Sequence, residues 1–244
     1  MNRTQSYYDV RDALAQPGCP VCRLKARSEE RYLDALLWEN VNDPGIRDHV
    51  RRARGFCHEH AWQLIRPAAS LGVAILHRDV LRTLLEILDG GKFQARPFLS
   101  LQRAHEALDA EQPAAATADL VARLTPQTPC PACKQGEVME TIYLDTLLGE
   151  LTGEDGLRAE YEASAGLCLP HLRQGLERLR DEAVFDALVS AQQAIWQRLE
   201  SDLEQFIRKS DPRYREEPWG DEKDAWLRAT AALAGNRRDT GSLA

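Results

Sequence analysis

Displaced by 111 residues against itself, this 244-residue chain brings all six of its cysteines into register. Cys19 falls on Cys130, Cys22 on Cys133 and Cys57 on Cys168, and His60 then falls on His171. The match runs beyond these residues, through Pro20/Pro131, Glu29/Glu140, Tyr32/Tyr143, Leu33/Leu144, Asp34/Asp145, Gly55/Gly166 and Gln63/Gln174. Residues 19–64 hold 16 identities with the second copy, where unrelated sequences of average composition would share about three. A self-match of this kind marks a duplicated structural unit and constrains the fold more than any composition value.

The periodicity of each copy is helical. Val21, Leu24, Tyr32, Leu33, Leu36 and Leu37 follow one helix face, and no run alternates with period two. Asn42-Asp43-Pro44-Gly45 breaks the first copy, and Glu154-Asp155-Gly156 breaks the second. A helix over Leu71–Leu88 and a longer one over Asp181–Lys209 follow the two Cys/His pairs. The expected fold is therefore all-α, with two tandem pseudo-symmetric helical repeats, each organised around a Cys3His metal site. The boundaries read as residues 1–90 for the first repeat, 91–127 for linking helices and 128–210 for the second repeat. Residues 211–244 then form a linker, an amphipathic tail helix over Trp219–Ala234 stopped by Gly235-Asn236, and a disordered end.

Cys-Pro-x-Cys suits a metal. Proline is favoured in the first turn of a helix, where its missing N–H costs nothing. Cys19 and Cys130 then become N-cap residues, with Cys22 and Cys133 three places on. Both sulfurs of a pair project from a helix end, beside unpartnered backbone N–H groups and the positive end of the dipole. Gly-Phe-Cys-His-Glu-His and Gly-Leu-Cys-Leu-Pro-His repeat the device with cysteine and histidine at i and i+3. The candidate ligands are Cys19, Cys22, Cys57, His60, Cys130, Cys133, Cys168 and His171. His60 is preferred to His58 because the second copy has Leu169 opposite His58 and His171 opposite His60. Three thiolates and one imidazole make a closed tetrahedral set for structural zinc, so two zinc ions are expected, with an iron–sulfur cluster as the alternative. Pairing of half-sites within a copy is the default; exchange, Cys19/Cys22 with Cys168/His171, is the other arrangement.

Other classes are disfavoured. A net charge of −7 argues against a general nucleic-acid binder, and the run Arg47, Arg51, Arg52, Arg54 reads as a solvated helix face. The most apolar stretch, Leu71–Leu88, is interrupted by His77, Arg78, Asp79, Arg82 and Glu86, so no membrane span is expected. Without a secretory signal the protein reads as cytoplasmic, a compartment in which patterned cysteines hold metals more often than disulfides. CPVC and CPAC lack the βαβ context of a thioredoxin motif. Asp34, Glu39, Asp145 and Glu150 read as outward faces of amphipathic helices rather than acid–base pairs. His49, His77 and His105 have no partners at a recognisable spacing.

Trp219, Trp226 and Arg228 in the tail are residue types that dominate binding hot spots. They make the tail a candidate partner-binding helix, although packing back on its own bundle is the favoured reading. C-P-V-C, Y-L-D-A-L-L-W-E-N-V-N-D-P-G, G-F-C-H-E-H-A-W, C-P-A-C, G-L-C-L-P-H and W-G-D-E-K-D-A-W-L-R-A together resemble a family of bacterial and archaeal proteins of unknown function. The resemblance covers most of residues 17–235 and implies a soluble prokaryotic protein of common architecture, with no implied activity. The functional expectation from the residues is a non-enzymatic, zinc-stabilised scaffold or adaptor for another protein. The alternative is a redox protein, either an iron–sulfur electron carrier or a zinc-thiolate switch. Oligomeric state is not specified by the sequence.

Overall fold

The structure, a computed structural model, describes residues 3–91, 117–153, 155–214 and 216–237. Among these residues there are helices and no strands. The first copy contains α1 (Gln5–Leu14), α2 (Pro20–Trp38), α3 (Pro44–Arg52), α4 (His58–Gln63) and α5 (Ser70–Asp89). Of the expected linking helices, α6 (Ala118–Leu124) is present; the one expected over Ser100–Asp109, with His105, lies outside the described residues. The second copy follows with α7 (Pro131–Gly149), α8 (Arg158–Ala163), α9 (Leu169–Arg178) and α10 (Glu182–Lys209). Single 3-10 turns at Pro212–Tyr214 and Asp221–Asp224 lead into the tail helix α11 (Ala225–Ala234). The chain end expected to be disordered falls almost wholly outside the described residues.

Local chemistry sets these boundaries. Asp43 caps α3 by accepting a hydrogen bond from the Ile46 N–H at 2.8 Å, with Pro44 in the first turn. Asp181 caps α10 in the same way through the Val184 N–H at 3.1 Å. Cys57 and Cys168 are themselves the N-cap residues of α4 and α9.

The chain divides into two compact units, Met1–Glu30 with Gln135–Ala244, and Arg31–Lys134. These differ from the tandem boundaries at 1–90 and 128–210. The division falls inside α2 and α7, so the first turns of each CPxC helix belong to the unit that holds the other copy's Cys/His knuckle.

The larger unit is built round Tyr7, Val10, Leu14, Val21 and Leu24 from α1 and α2, with Tyr143, Leu144, Leu147, Leu167, Leu188 and Ile195 from the second copy. The smaller unit has its own core, with Leu33, Leu36 and Leu37 of α2 against Leu64, Ala69, Leu76 and Ala132. Burying a leucine side chain fully is worth roughly 1.5–3 kcal/mol, so each unit has a core of several such contributions. The Tyr-Leu-Asp triplets divide as amphipathicity predicts. Leu33, Leu144 and Tyr143 are buried, whereas Asp34 pairs with Arg66 and Asp145 with Arg178.

The basic run of α3 is an ion-paired face: Arg47 and Arg51 meet Asp79 of α5, and Arg51 and Arg52 meet Asp48. His77 pairs through Nδ1 with the Val73 carbonyl at 2.9 Å. The tail helix packs on α9 and α10, with Ala225 fully buried. That settles its placement on its own unit.

Candidate metal centres

Two groups of four side chains converge so that one donor atom from each lies within 4.8 Å of the others in its group. They are Cys19, Cys22, Cys168 and His171 in the larger unit, and Cys57, His60, Cys130 and Cys133 in the smaller. All eight residues singled out in the sequence are used, but the pairing is the exchanged one. Each CPxC pair meets the Cys/His pair of the other copy, and the within-copy default does not hold. The cause is the path of the helices: the cores place the start of α2 beside the start of α9, and the start of α4 beside the start of α7.

Both groups have the dimensions of a single tetrahedral ion. Zn–S bonds near 2.3 Å and Zn–N bonds near 2.05 Å put sulfurs about 3.8 Å apart and sulfur and nitrogen about 3.5 Å apart. In the first centre Cys22 Sγ and Cys168 Sγ are 3.7 Å apart, and His171 Nδ1 is 3.4 Å from Cys19, 3.4 Å from Cys22 and 3.1 Å from Cys168. In the second, Cys57 and Cys133 sulfurs are 3.6 Å apart, with His60 Nδ1 at 3.1 Å from Cys57, 3.3 Å from Cys133 and 3.6 Å from Cys130. These separations far exceed a disulfide bond of about 2.05 Å, and all six cysteines are free. His60 faces the sulfurs, while His58 is exposed and stands edge-on to Trp62 with ring centroids 6.5 Å apart.

Burial and mutual hydrogen bonding set the electrostatics of the two groups. Without a metal, burial pushes the Cys19 thiol well up. Hydrogen bonds from Cys168 and Cys19 hold Cys22 far below its ordinary range. Burial opposes a charged His171, yet its bonds to Cys168, Cys22 and Glu140 outweigh that and raise it to about 11. In the second centre burial works to raise Cys130, but His60 and backbone N–H groups of Cys133, Cys57 and Ala132 bring it down to about 6. In the first centre a proton therefore sits on His171 beside the Cys22 thiolate, and a divalent ion would displace it.

The chain is matched over residues 1–240 by the model of a family of unknown function, DUF6062. It belongs to that family. An uncharacterised 23.9 kDa protein in the xynA 3' region of Caldicellulosiruptor sp. (strain Rt8B.4) is 25% identical over 225 residues, which is 90% of this chain and 96% of that protein. No solved structure matches the chain.

Further residues complete the first centre of this DUF6062 chain. The His171 Nε2–H donates to Glu140 Oε1 at 2.7 Å, and Gln174 donates to the same oxygen at 3.2 Å. Lys25 pairs with the other Glu140 oxygen. Burial works to raise Glu140, but His171 and Lys25 overcome it and hold the carboxyl at about 2. A carboxylate behind a ligating imidazole fixes its tautomer and strengthens it as a donor. Glu140 and Glu29 were visible as a repeat identity, and a repeated mid-helix carboxylate on a buried face is the signal that could have given it this role.

Asn236 braces the cysteine side of the same centre. Its side chain accepts from the Cys19 N–H at 2.8 Å and donates to the Cys19 carbonyl at 3.0 Å, and its backbone N–H bonds Cys22 Sγ. Gly235, at φ +93°, makes this approach possible, since a Cβ there would stand 3.3 Å from Cys22 Sγ. The loop before Cys168 is filled by Gln192, which accepts from the Leu167 N–H at 3.0 Å and donates to its carbonyl at 3.2 Å.

Trp219, Trp226 and Arg228, the tail residues singled out in the sequence, belong to neither ligand group. Trp219 stacks near Phe206, with centroids 5.3 Å apart, and Trp226 is 52% exposed. Arg228 is committed to Asp224 at 2.8 Å and Asp202 at 3.0 Å. No helix among the described residues is long and apolar enough to cross a membrane.

Proposed function

We propose that this protein is a non-enzymatic, zinc-stabilised helical scaffold that binds two zinc ions and serves as an adaptor for another protein in the cytoplasm. The observation that carries the reading is the closure of both donor sets. Three sulfurs and a histidine nitrogen around one point complete the tetrahedron that structural zinc takes, leaving no coordination position for water or substrate. An iron–sulfur cluster distributes its ligands over several irons, whereas here all four donor atoms of each group lie within 4.8 Å of one another. The mixed thiolate–imidazole set and tetrahedral spacing favour zinc among the divalent ions. Each zinc would tie the N-termini of two helices together, and its binding free energy adds directly to folding.

The adaptor reading is supported by the outer face of the tail, where Trp226 and Leu227 are each 52% exposed on a helix fixed to the unit. Exposed aromatic and aliphatic side chains on a rigid element are what a protein partner would use. Elemental analysis of the purified protein should give two zinc ions per chain and no visible absorption; iron with a brown colour would reject the zinc reading. Affinity capture from the native host, comparing the natural protein with Trp226→Glu/Leu227→Glu, should lose a defined partner while zinc content stays at two. Unchanged capture by that variant would reject this face as the adaptor surface.

A further inference from the structure

We propose that the two centres have different duties: the Cys57/His60/Cys130/Cys133 centre responds to hydroperoxides by forming a Cys57–Cys133 disulfide and releasing its metal, while the other centre keeps its metal. The proposal rests on the zinc reading above and concerns which sulfurs an oxidant can reach. Oxidation of thiolates follows thiolate character and exposure.

The first centre is the better covered: two of its three cysteines are buried and Cys22 alone is partly exposed. Cys19 and Cys168 are only 3% and 1% exposed, Gly235 and Asn236 lie over Cys19 and Cys22, and Gln192 fills the loop that leads to Cys168. Lys25 and Gln174 lock the carboxylate behind its histidine.

The second centre differs at corresponding places. Its three sulfurs are all partly exposed. The loop leading to Cys57 turns through two left-handed residues, Arg54 at φ 56° and Gly55 at φ 101°. A Cβ on Gly55 would meet no atom within 4 Å, whereas one on its counterpart Gly166 would strike Gln192 at 2.8 Å. In the repeat register Gly136 replaces Lys25. This knuckle therefore has space at Gly55 that its counterpart in the first centre lacks. Cys57 and Cys133 sulfurs, at 3.6 Å, need close only about 1.6 Å to bond.

The chemistry balances with a hydroperoxide as oxidant. One thiolate attacks the O–O bond, forming S–O and expelling hydroxide or alkoxide, which takes a proton from solvent. The second thiolate attacks the sulfenic sulfur, forming S–S and expelling hydroxide, which takes a second proton. Two sulfurs each give one electron, the peroxide becomes water and an alcohol or a second water, and the ion departs having lost two of its four donors.

The test uses the zinc-loaded full-length protein, treated with one equivalent of hydrogen peroxide and followed by native mass spectrometry and disulfide mapping. One zinc should leave with a Cys57–Cys133 disulfide, and the second should leave at least about tenfold more slowly. Asn236→Ala should speed loss from the first centre without changing the second. Loss of both ions at one rate, a Cys22–Cys168 disulfide forming first, or oxidation without a disulfide would overturn the proposal. Fewer than two zinc ions before peroxide is added overturns the zinc reading itself, and this proposal with it.

Discussion

At each centre the histidine presents Nδ1 to three sulfurs, and in the first this leaves Nε2 for Glu140. Removing that acceptor should loosen the imidazole without deleting a ligand. Glu140→Gln is predicted to weaken metal binding at the first centre about 10- to 100-fold, read by chelator competition, with the second centre unchanged. His60→Ala should lose one ion per chain and His58→Ala neither, as measured by metal content. The ligands themselves were legible because they recur at fixed spacing, and the Leu169 opposite His58 decided between two neighbouring histidines. Lys25 was not legible: its counterpart is Gly136, so the repeat gives no hint that it braces Glu140.

The helices carry the centres at their starts. Cysteine at the cap, joined by proline in the first turn of α2, α7 and α9, puts sulfur beside backbone N–H groups that have no partner within the helix, and these local signals are in the sequence. Their cores follow from the same stripes that predicted them. Leu144→Ala, at a site with no solvent exposure, should cost about 2–5 kcal/mol in chemical denaturation of the larger unit. The tail helix is the element whose role was hidden. Gly235-Asn236 reads as a helix stop, and the hydrogen bonds from Asn236 to Cys19 span 217 residues of sequence, a separation that no local pattern encodes. Asn236→Ala removes both of those side-chain bonds and should destabilise the protein by roughly 1–3 kcal/mol, with metal retention reduced at the first centre alone.

Across the molecule, a duplicated sequence has two ways to pair its half-sites, and both use the same eight ligands at the same spacings. Helical class and ligand identity could therefore be read from the chain, while the pairing could not; it is decided by packing between residues far apart in sequence, such as Val21 and Leu24 with Tyr143 and Leu144. Exchange has a mechanical consequence. Neither copy can complete a four-donor group alone, so a metal-bound state would require both copies to be folded, and each ion would close a long loop of chain. Counting metals in paired cysteine variants tests this most directly. Cys22→Ser/Cys168→Ser should remove one ion and leave the other bound, whereas Cys22→Ser/Cys57→Ser should remove both. If Cys22→Ser/Cys57→Ser instead retains one ion and Cys22→Ser/Cys168→Ser retains none, the half-sites pair within the copies and the exchanged architecture is wrong.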